Sequence, residues 1–509
     1  MTAAILPVTP SATLTPSSIY DLFVPVSYKR LRAVAASCDG IRRERKNDTL
    51  PPSSHGHDFG GVSAVRVIII GAGQVGSSIA ADLDDTHDVV VIERDPERAE
   101  ELNYSLDVLA VEGDGTAVAT LEQAGIDRAD MVIASTDNDE TNIVACSTAK
   151  AISDAFTIAR IKNTEYLRTW NRSEKAFGID FMVCTNLLTA KAIVRVVGLP
   201  AARDVDPFAG GQVQMAEFEV GDESPVANQT VREADRFDSL TFAAILRNGH
   251  VEIPRGETVI EPGDRVVVIG SPGSVQEFAT SVAPDESPGT AEEVVIVGGS
   301  EIGYHVARLL EERGFSPRLI EQDHDRARRL AEDLPGTVVM ESDATNIEFL
   351  EREHIGDADM VVSALESDEK NLLVSLLASR LGTERTVAVI DTTAYVDLFE
   401  TVGVDVAVSP REVVAEEITR FTREGSAENI ALIESDKAEV MEIEVDADSV
   451  LTDRPIRESV RELPEGVVVG AITRGDEFVV PRGDTVVQSG DHVVLFIDAD
   501  IADEVTPRL

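Results

Sequence analysis

Short runs of Val and Ile alternate with stretches of helical periodicity once the chain passes residue 64. The motif VRVIII ends at Ile70, a helical stretch covers Ser77 to Asp84, VVVIE follows, and another helical stretch covers Pro96 to Leu106 before VLAVEGD. A short apolar run bounded by turn residues is typical of a buried strand, and apolar spacing of three to four residues is typical of a helix. The alternation therefore predicts βαβ units and a parallel sheet.

A different pattern follows these alternating runs. The motifs AEFEV, FAAILRNG, EIPRG and RVVVIG are short strand-like runs separated by Gly and by Pro-Arg-Gly turns. Closely spaced strands with such turns predict a compact antiparallel or mixed β module.

The whole pattern occurs twice. GAGQVG, Gly71 to Gly76, recurs 227 positions later as GGSEIG, Gly298 to Gly303, and IERDPERAEEL from Ile92 recurs as IEQDHDRARRL from Ile320. Farther along, IPRGETVIEPGDRVVVIG recurs as VPRGDTVVQSGDHVVLFI, again 227 positions later. The predicted fold class is therefore α/β, with two Rossmann-like, doubly wound parallel-sheet domains, each followed by a small β-rich α+β domain.

These patterns divide the chain into five segments. Residues 1–64 contain seven Lys and Arg against five acids, with recurrent Pro and Ser and no sustained periodicity. They are expected to be a disordered arm or the product of an upstream start codon chosen for a gene whose product begins near Val65; we favour the second interpretation. The predicted domains are a first Rossmann domain at 65–185, a first β-rich domain at 203–285, a second Rossmann domain at 292–410 and a second β-rich domain at 427–509.

The charge of the chain argues against one class of partner. Lys and Arg total 45 against 92 Asp and Glu, a formal net charge of −47, whereas a protein that binds nucleic acid needs a basic face for the phosphate backbone. Because the acid excess is spread over all modules, it is typical of proteins adapted to a salt-rich cytoplasm, where screening relieves self-repulsion. We therefore expect a halophilic protein with no nucleic-acid partner.

Cysteines and apolar runs bear on the compartment. Cys38, Cys146 and Cys184 are an odd number and widely spaced, which matches neither a disulfide framework nor a CxxC metal site, so a reducing cytoplasm fits best. No apolar run reaches the ~18 residues of a membrane-spanning helix. Any role at a membrane is therefore expected to depend on a partner protein.

The glycine-rich motif lies where a dinucleotide site needs it. The strand VRVIII leads into Gly71, which permits a tight turn; Gly73 lets the backbone approach a pyrophosphate, and Gly76 allows close packing of the next helix. The N-terminus of that helix offers free N–H groups and a favourable dipole to the phosphates. Glu93 ends the second strand, where an acid accepts hydrogen bonds from the adenosine ribose, which favours NAD over NADP despite the neighbouring Arg94.

Further candidates follow the later strands. Asp114, in the GDGT loop after the third strand, would lie beside the adenine, and Thr136 and Asp137 follow the fourth strand near the switch point of the sheet. Arg160 would reach the phosphates or the nicotinamide-side ribose, or else be an ordinary surface arginine. The acids at 137, 139 and 140 would suit a divalent cation, but an acid-rich helix N-terminus is the plainer explanation.

The second copy departs from this pattern. Ser300 replaces the middle glycine, and Ala344 interrupts the equivalent of GDGT, so a close approach of a pyrophosphate is less assured. Glu321 retains the ribose-binding position. The second site would therefore bind weakly, bind another adenine nucleotide, or serve only as a packing partner for the first.

GAGQVG with Glu93, GDGT, DETN and ARIKN, repeated with intervening β modules, resembles the TrkA family of Trk potassium-uptake regulators over residues 65–509. In that family each half is a regulator of potassium conductance (RCK) domain, whose Rossmann part binds NAD or NADH. The resemblance implies a protein that is peripheral on the cytoplasmic face of the cell membrane. It also implies a homo-oligomeric gating ring, which four chains would complete, and control of a TrkH-type potassium-translocating membrane subunit.

The resemblance also assigns site residues. In the first half these are Gly71, Ala72, Gly73, Gln74, Val75, Glu93, Thr136, Asp137 and Arg160. Equivalent positions in the second half are Gly298, Gly299, Ser300, Glu301, Ile302, Glu321, Leu365, Glu366 and Asp391. The charge of Arg160 is not kept in the second half, and the leader of residues 1–64 departs from the family.

Two other functions stay open at this point. A NAD-dependent oxidoreductase would need a proton donor beside the nicotinamide, but none of the eight histidines falls at matched positions in the two halves, and the β modules contain no clustered His, Lys or Tyr. We therefore expect that the protein is not an enzyme. The other alternative is a gating subunit of a potassium efflux system or antiporter, although such domains are commonly fused to membrane spans.

Overall fold

The structure of the protein is a computed structural model. It describes residues 65–84, 87–172, 176–197, 199, 201–247, 250–283, 293–423, 429–433, 438–447, 449–475 and 477–509. The chain divides into two units, and the second, Ala64–Leu509, contains every described residue. The predicted arm of residues 1–64 lies outside the described residues.

The first half begins with alternating strands and helices. They are β1 Arg66–Ile70, α1 Gln74–Leu83, β2 Asp88–Glu93, α2 Pro96–Ser105, β3 Leu109–Glu112, α3 Val118–Gln123, β4 Met131–Ala134, α4 Asp139–Ile152, β5 Phe156–Ile161, α5 Thr164–Arg172, β6 Phe181–Cys184 and α6 Thr185–Val196. The six strands form one parallel sheet in the order β3-β2-β1-β4-β5-β6. Val67, Ile68 and Ile69 of β1 are fully buried, because helices cover both faces of the sheet.

A smaller sheet completes the first half. Its elements are β7 Ala202–Phe208, β8 Val213–Glu219, α7 Val231–Ala234, β9 Leu240–Arg247, β10 His250–Glu252, β11 Arg265–Gly270 and α8 Pro272–Val282. The strand order is β10-β9-β11-β8-β7, and every neighbouring pair is antiparallel. Helix α8 begins sharply, because the Ser271 side chain accepts a hydrogen bond from the Ser274 N–H and Pro272 is the first helical residue.

The second half repeats this order. Its elements are β12 Val294–Val297, α9 Glu301–Glu312, β13 Arg318–Glu321, α10 His324–Asp333, β14 Val338–Glu341, α11 Ile347–Arg352, β15 Met360–Ser363, α12 Asp368–Leu381, β16 Arg385–Val389, α13 Val396–Thr401, β17 Val406–Val408, α14 Pro410–Arg423, β18 Asn429–Ile433, β19 Ala438–Glu444, α15 Ile456–Ser459, β20 Val467–Arg474, β21 Glu477–Val479, β22 His492–Asp498 and α16 Ala502–Val505. The sheets are parallel β14-β13-β12-β15-β16-β17 and antiparallel β18-β19-β22-β20-β21. The predicted fold class is confirmed.

The two halves exchange the last helix of each parallel sheet. Helix α14 of the second half lies against α1, and its Val414 and Ile418 are buried in the core of the first sheet. In return, α6 of the first half lies against α9, and its Ala190 and Ile193 are buried in the core of the second sheet. Each half therefore contributes apolar surface to the core of the other.

The two antiparallel sheets also pack together. Phe208 and Ile269 of the first sheet share one buried cluster with Val440 and Phe496 of the second. Since side chains alternate between the faces of a strand, each sheet has a second face, which covers its own core. Within the residues that the structure describes, no helix is long and apolar enough to cross a membrane.

Each antiparallel sheet holds the same ion pair between a buried aspartate and a partly exposed arginine. Arg247 donates from Nε and Nη2 to the two carboxylate oxygens of Asp264, at 2.7 and 2.6 Å. Arg474 donates in the same way to Asp491, at 2.8 and 2.7 Å. Both aspartates are only 1% exposed, so the two-pronged arginine contact satisfies a carboxylate that water does not reach.

Candidate nucleotide-binding site

A cavity of about 360 Å³ opens at the carboxyl ends of the first parallel sheet. It lies beside β1 and β4, where the strand order reverses and α/β sheets generally bind ligands. Nine of the predicted first-half residues line it: Gly71, Gly73, Gln74, Val75, Glu93, Asp114, Thr136, Asp137 and Arg160. The two others, Ala72 and Gly76, are buried and do not line the cavity.

The three glycines have three different environments. Gly71 has a φ of +101°, and a Cβ there would lie 2.8 Å from Cγ2 of Thr136. A Cβ on Gly76 would lie 1.9 Å from the Gly71 carbonyl oxygen, so this glycine lets α1 pack against the turn. A Cβ on Gly73 would meet nothing within 4 Å. The open space at Gly73 is where a ligand can approach the start of α1, which has no side-chain cap.

The carboxylate of Glu93 is held at the end of β2 by backbone donors. Its Oε2 accepts from the Ala72 N–H at 2.6 Å, and its Oε1 accepts from the N–H groups of Arg94 and Asp95 at 2.7 and 2.9 Å. A carboxylate has about four acceptor positions, so these bonds leave one free on Oε2. The side chain is therefore oriented at the cavity wall and can accept a hydroxyl.

Asp114 belongs to a self-bonded loop at the rim. Its Oδ1 accepts from the Thr116 N–H at 3.0 Å and the Thr116 hydroxyl at 2.7 Å, and its Oδ2 accepts from Arg94 at 3.0 Å. The Thr116 backbone bond is the main reason why the pKa of Asp114 lies below its ordinary value. The neighbouring Gly115 has no room for a side chain, because a Cβ would lie 2.2 Å from Cγ2 of Ile70.

Asn142, which the sequence did not single out, joins the loop after β4 to β5. It is fully buried, its Oδ1 accepts from the Thr136 N–H and hydroxyl at 2.9 and 2.6 Å, and its Nδ2 donates to the carbonyls of Thr136 and Arg160 at 2.9 and 2.8 Å. The signal was available, since DETN and DEKN keep this asparagine in both copies. Asn371 makes the equivalent bonds to Leu365 and Val389.

Arg160 is a buried residue of the cavity wall, only 3% exposed. Its Nε donates to the Thr185 hydroxyl at 3.2 Å, and its Nη1 lies 3.4 Å from Oδ1 of Asp137, which also pairs with Lys162 at 3.3 Å. Burial lowers the pKa of Arg160, although an arginine stays charged at any physiological pH. Burial would raise the pKa of Asp137, but Lys162 and Arg160 outweigh it and hold that pKa below its ordinary value.

The acids at the start of α4 bond to the protein itself. The Asp139 carboxylate accepts from the N–H groups of Lys162 and Asn163, each at 2.9 Å, and the Glu140 carboxylate accepts from the Tyr166 hydroxyl at 2.8 Å. No group of three or more His, Cys, Asp and Glu side chains in the described ranges has the arrangement of a metal site.

Arg411 enters the first cavity from the second half of the chain. It is near the start of α14, and its Nη1 donates to Oε1 of Gln74 at 2.7 Å. The cavity thus has four arginines, Arg94, Arg98, Arg160 and Arg411, in a protein with about twice as many acidic as basic residues. A search within one copy of the repeat could not find Arg411, because it arrives through the exchange of α14.

The crevice of the second parallel sheet has the same backbone turn as the first, but different side chains face it. Gly298 again has a φ of +101°, but the Ser300 hydroxyl accepts from the Gly303 N–H at 3.2 Å and so caps α9. Glu321 is buried and accepts from the N–H groups of Gly299 and Asp323 at 2.9 and 2.8 Å. Two further predicted residues, Glu301 and Ile302, form the first turn of α9.

Two other features differ between the crevices. Arg326, the counterpart of Arg98, lies 4.0 Å from the carboxylates of both Glu321 and Glu366, whereas Arg98 lies 3.9 Å from Asp95. The matched Asn371 bond places Val389 at the position of Arg160. The prediction that Asp391 is equivalent to Arg160 is therefore wrong, because Asp391 matches Lys162: the N–H group of each donates to the aspartate that begins the preceding helix, Asp368 or Asp139.

Domain models and relatives identify the family. The TrkA-N domain matches residues 67–185 and 294–410, and the TrkA-C domain matches residues 215–282 and 440–509. The chain belongs to the TrkA family. This TrkA-family chain is 37% identical to a Trk system potassium uptake protein TrkA homolog of Archaeoglobus fulgidus, over 86% of this chain and 98% of that protein. It is 34% identical to the Trk system potassium uptake protein TrkA of Halomonas elongata, over 85% and 96%.

Solved structures share the fold of this TrkA-family chain. The GsuK RCK domain matches it with a TM-score of 0.56 at 20% identity, over 92% of this chain and 99% of that one. The GsuK channel bound to NAD matches with the same score and identity, over 96% and 86%.

Proposed function

We propose that this TrkA-family chain is a cytoplasmic regulatory subunit of a potassium-uptake system and that NAD or NADH at the first crevice is its signal. One observation carries the ligand assignment. The uncapped start of α1 faces open space at Gly73, with the oriented carboxylate of Glu93 on one side and four arginines around it. The potassium-uptake role is carried over from relatives that are Trk system potassium uptake proteins.

Each group has a chemical role in this proposal. The N–H groups at the start of α1 and the cavity arginines bind the pyrophosphate, because dipole and charge both favour an anion there. The free acceptor position of Glu93 binds a ribose hydroxyl, and the same negative charge disfavours the 2′-phosphate of NADP. Asp114 lies at the adenine end, and Thr136, Asp137 and Arg160 form the opposite wall.

Binding acts by shifting a conformational equilibrium. The dinucleotide favours one of two arrangements of the chain to the extent of its differential affinity for them. We propose that the chains form a ring, which transmits this shift to a TrkH-type membrane subunit at the cytoplasmic face of the membrane. The NAD-bound state of GsuK, a channel with the same fold, supports the choice of ligand.

The second crevice has a different role in the proposal. The Ser300 hydroxyl already accepts from the Gly303 N–H, one of the donors at the helix start that a pyrophosphate would need. Val389, in place of Arg160, supplies no charge. The second half therefore acts chiefly as the packing partner of the first.

Calorimetric titration of the full chain with NADH and with NAD, in multimolar KCl, tests the ligand assignment. Gly73→Asp places a carboxylate in the open space and should abolish binding without unfolding the protein, since its side chain meets no neighbour. Ser300→Asp is the matched control at the second crevice and should leave the affinity unchanged.

A parallel assay for hydride transfer to candidate substrates separates a regulator from an enzyme. Saturable binding that is lost in Gly73→Asp, without turnover, supports the regulator. Absence of NAD(H) binding by the wild-type chain, or turnover that depends on Gly73, would contradict the proposal.

A further inference from the structure

The first crevice contains one charged group from the other half of the protein. The Arg411 guanidinium donates from Nη1 to Gln74, the first residue of α1. Its other edge faces Asp391, with Nε 3.1 Å from Oδ1 and Nη2 2.5 Å from Oδ2. The side chain is 22% exposed and lines the same cavity as Gly73. It is thus held at the mouth of the site by two polar partners that an anion can replace.

The charge balance favours such a replacement. Arg160 and Arg411 line one cavity, and the positive charge of Arg411 contributes to lowering the pKa of Arg160. Two guanidinium groups that repel each other across a cavity are both stabilised when a diphosphate lies between them. Asp137 and Asp391 each pair with one of these guanidinium groups and balance its charge.

The start of α6, which packs on the second half as α14 packs on the first, has no equivalent of Arg411. Asn186 is the second residue of α6, as Arg411 is of α14, and α6 packs on α9 as α14 packs on α1. The Asn186 amide donates to the Lys162 carbonyl of its own half at 2.9 Å, and it carries no charge. Of these two helix starts, only that of α14 therefore places a charged side chain in the crevice of the other half.

We propose that Arg411 is a ligand-contacting residue of the first crevice, whose guanidinium pairs with the diphosphate of the bound nucleotide and so links site occupancy to the packing of α14. This inference rests on the proposed function and deepens it. The link acts through one rigid helix, because Thr419, more than two turns farther along α14, donates to Asp82 near the end of α1 at 3.0 Å. A displacement of Arg411 by the ligand would therefore also move Thr419 and change its contact with α1 of the other half.

The test is calorimetry on the full chain with NADH and with ADP-ribose, which keeps the diphosphate but lacks nicotinamide. Arg411→Gln should weaken binding of both ligands about tenfold, the effect of one charge-assisted hydrogen bond. Asn186→Ser, the control at the matched position, should have no effect. Arg411→Lys keeps the charge and should lose less than Arg411→Gln.

Asp391→Asn gives a prediction of opposite sign. It releases Arg411 from a competing carboxylate and should tighten binding about threefold. The gain should disappear in the Arg411→Gln background, because the contact that it strengthens is then missing. This variant leaves the guanidinium in place, so it tests the contact even if Arg411→Gln does not fold.

Hydrogen exchange of the α14 amides, measured with saturating NADH, tests the link to packing. NADH should slow exchange over Pro410–Arg423 in the wild type and not in Arg411→Gln. Equal exchange in both proteins would overturn the link.

The inference and the proposed function fail in different ways. Unchanged affinity in Arg411→Gln, with binding abolished by Gly73→Asp, would overturn the inference alone. If Asp391→Asn still tightened binding in the Arg411→Gln background, the inference would also be overturned, because removal of a negative charge near the site would then explain the gain in affinity. A wild-type chain that binds neither NAD(H) nor ADP-ribose would overturn both.

Discussion

The two Rossmann crevices of this chain share a backbone frame and differ in the side chains that face the cavity. Gly71 and Gly298 have the same φ, and a Cβ on Gly76 or on Gly303 would lie within 2.0 Å of a carbonyl oxygen. These glycines are kept because they let the first helix of each half pack on its sheet.

The cavity-facing positions have diverged instead. In going from the first to the second crevice, Gly73 is replaced by Ser300, Thr136 by Leu365 and Arg160 by Val389. The comparison teaches that packing and ligand chemistry are separate constraints on the same motif. Paired substitutions at equivalent positions should therefore separate folding from binding.

The largest effect is expected at the packing glycines. Gly76→Ala and Gly303→Ala both force a Cβ against a backbone oxygen, 1.9 and 2.0 Å away, so each should lower the free energy of unfolding by about 3 kcal/mol or more. Gly76→Ala should also abolish NADH binding, whereas Gly303→Ala should not change the affinity of the protein that remains folded. Chemical denaturation and calorimetry measure the two effects. Loss of NADH binding in folded Gly303→Ala would remove the distinction between the crevices.

A smaller effect, equal in the two halves, is expected in the antiparallel sheets. Asp264→Asn and Asp491→Asn each remove a buried carboxylate oxygen that accepts from the arginine and from a backbone N–H, and should each cost about 2 kcal/mol of unfolding free energy, with NADH affinity unchanged. Urea denaturation of both variants checks this. Costs that differ by more than about 1 kcal/mol would show that the two modules are less alike than their matched bonds indicate.

A pH effect distinguishes the first helices of the two halves. His305 of α9 is fully buried, and among the described residues neither of its ring nitrogens has a hydrogen-bond partner; Ser78 is its counterpart in α1. Burial, with Arg308 and Arg168 adding to it, lowers the pKa of His305 to about 4. Because that value is below the ~6.5 of an unfolded histidine, its contribution to stability is complete above pH 6.5 and is lost as the pH falls towards 4.

The loss should amount to roughly 1–3 kcal/mol. His305→Ser, which copies the first half, should remove this part of the pH dependence, and the comparison of the two stability curves between pH 7 and 4 isolates it from the many carboxylates. Parallel curves for the variant and the wild type would contradict the assignment.

The smallest expected effect concerns the paired glutamates. Glu93→Gln weakens an acceptor for a ribose hydroxyl and should reduce NADH affinity about tenfold, or about 1.4 kcal/mol. Glu321→Gln should leave NADH affinity unchanged and cost about 1 kcal/mol of stability, because its carboxylate accepts two buried N–H groups. Calorimetry and thermal unfolding of both variants decide this. A tenfold loss in Glu321→Gln would indicate that the second crevice binds the dinucleotide.

Local pattern was enough to predict the parallel sheets and most of the first cavity. Val and Ile runs identified the strands, and the motif from Gly71 to Gly76 located the turn, because these features depend on residues close together in the sequence. Glu93 was predicted for the same reason, since the end of β2 always lies beside that turn in this fold.

The remaining parts of the cavity depend on tertiary structure or on exact register. Arg411 reaches the first crevice only because α14 crosses to the other half, which no local pattern encodes. The offset between copies grows from 227 at the glycine turn to 229 after the third strand, so the counterpart of Arg160 is Val389, and the predicted Asp391 lies two residues too far along the chain. Asn142 is repeated in the second copy as Asn371, but its role depends on four bonds that only the fold brings together.

The exchange of α6 and α14 has an evolutionary consequence. In a dimer of identical chains, every mutation changes both sites at once, so neither site can lose its ligand without the other. Joining the copies in one chain removes that symmetry, because each copy of the sequence can then vary alone while the crossed helices keep the pair together. One copy can thus differ from the other in its cavity side chains, as Ser300 and Val389 differ from Gly73 and Arg160, and can supply an arginine to its neighbour.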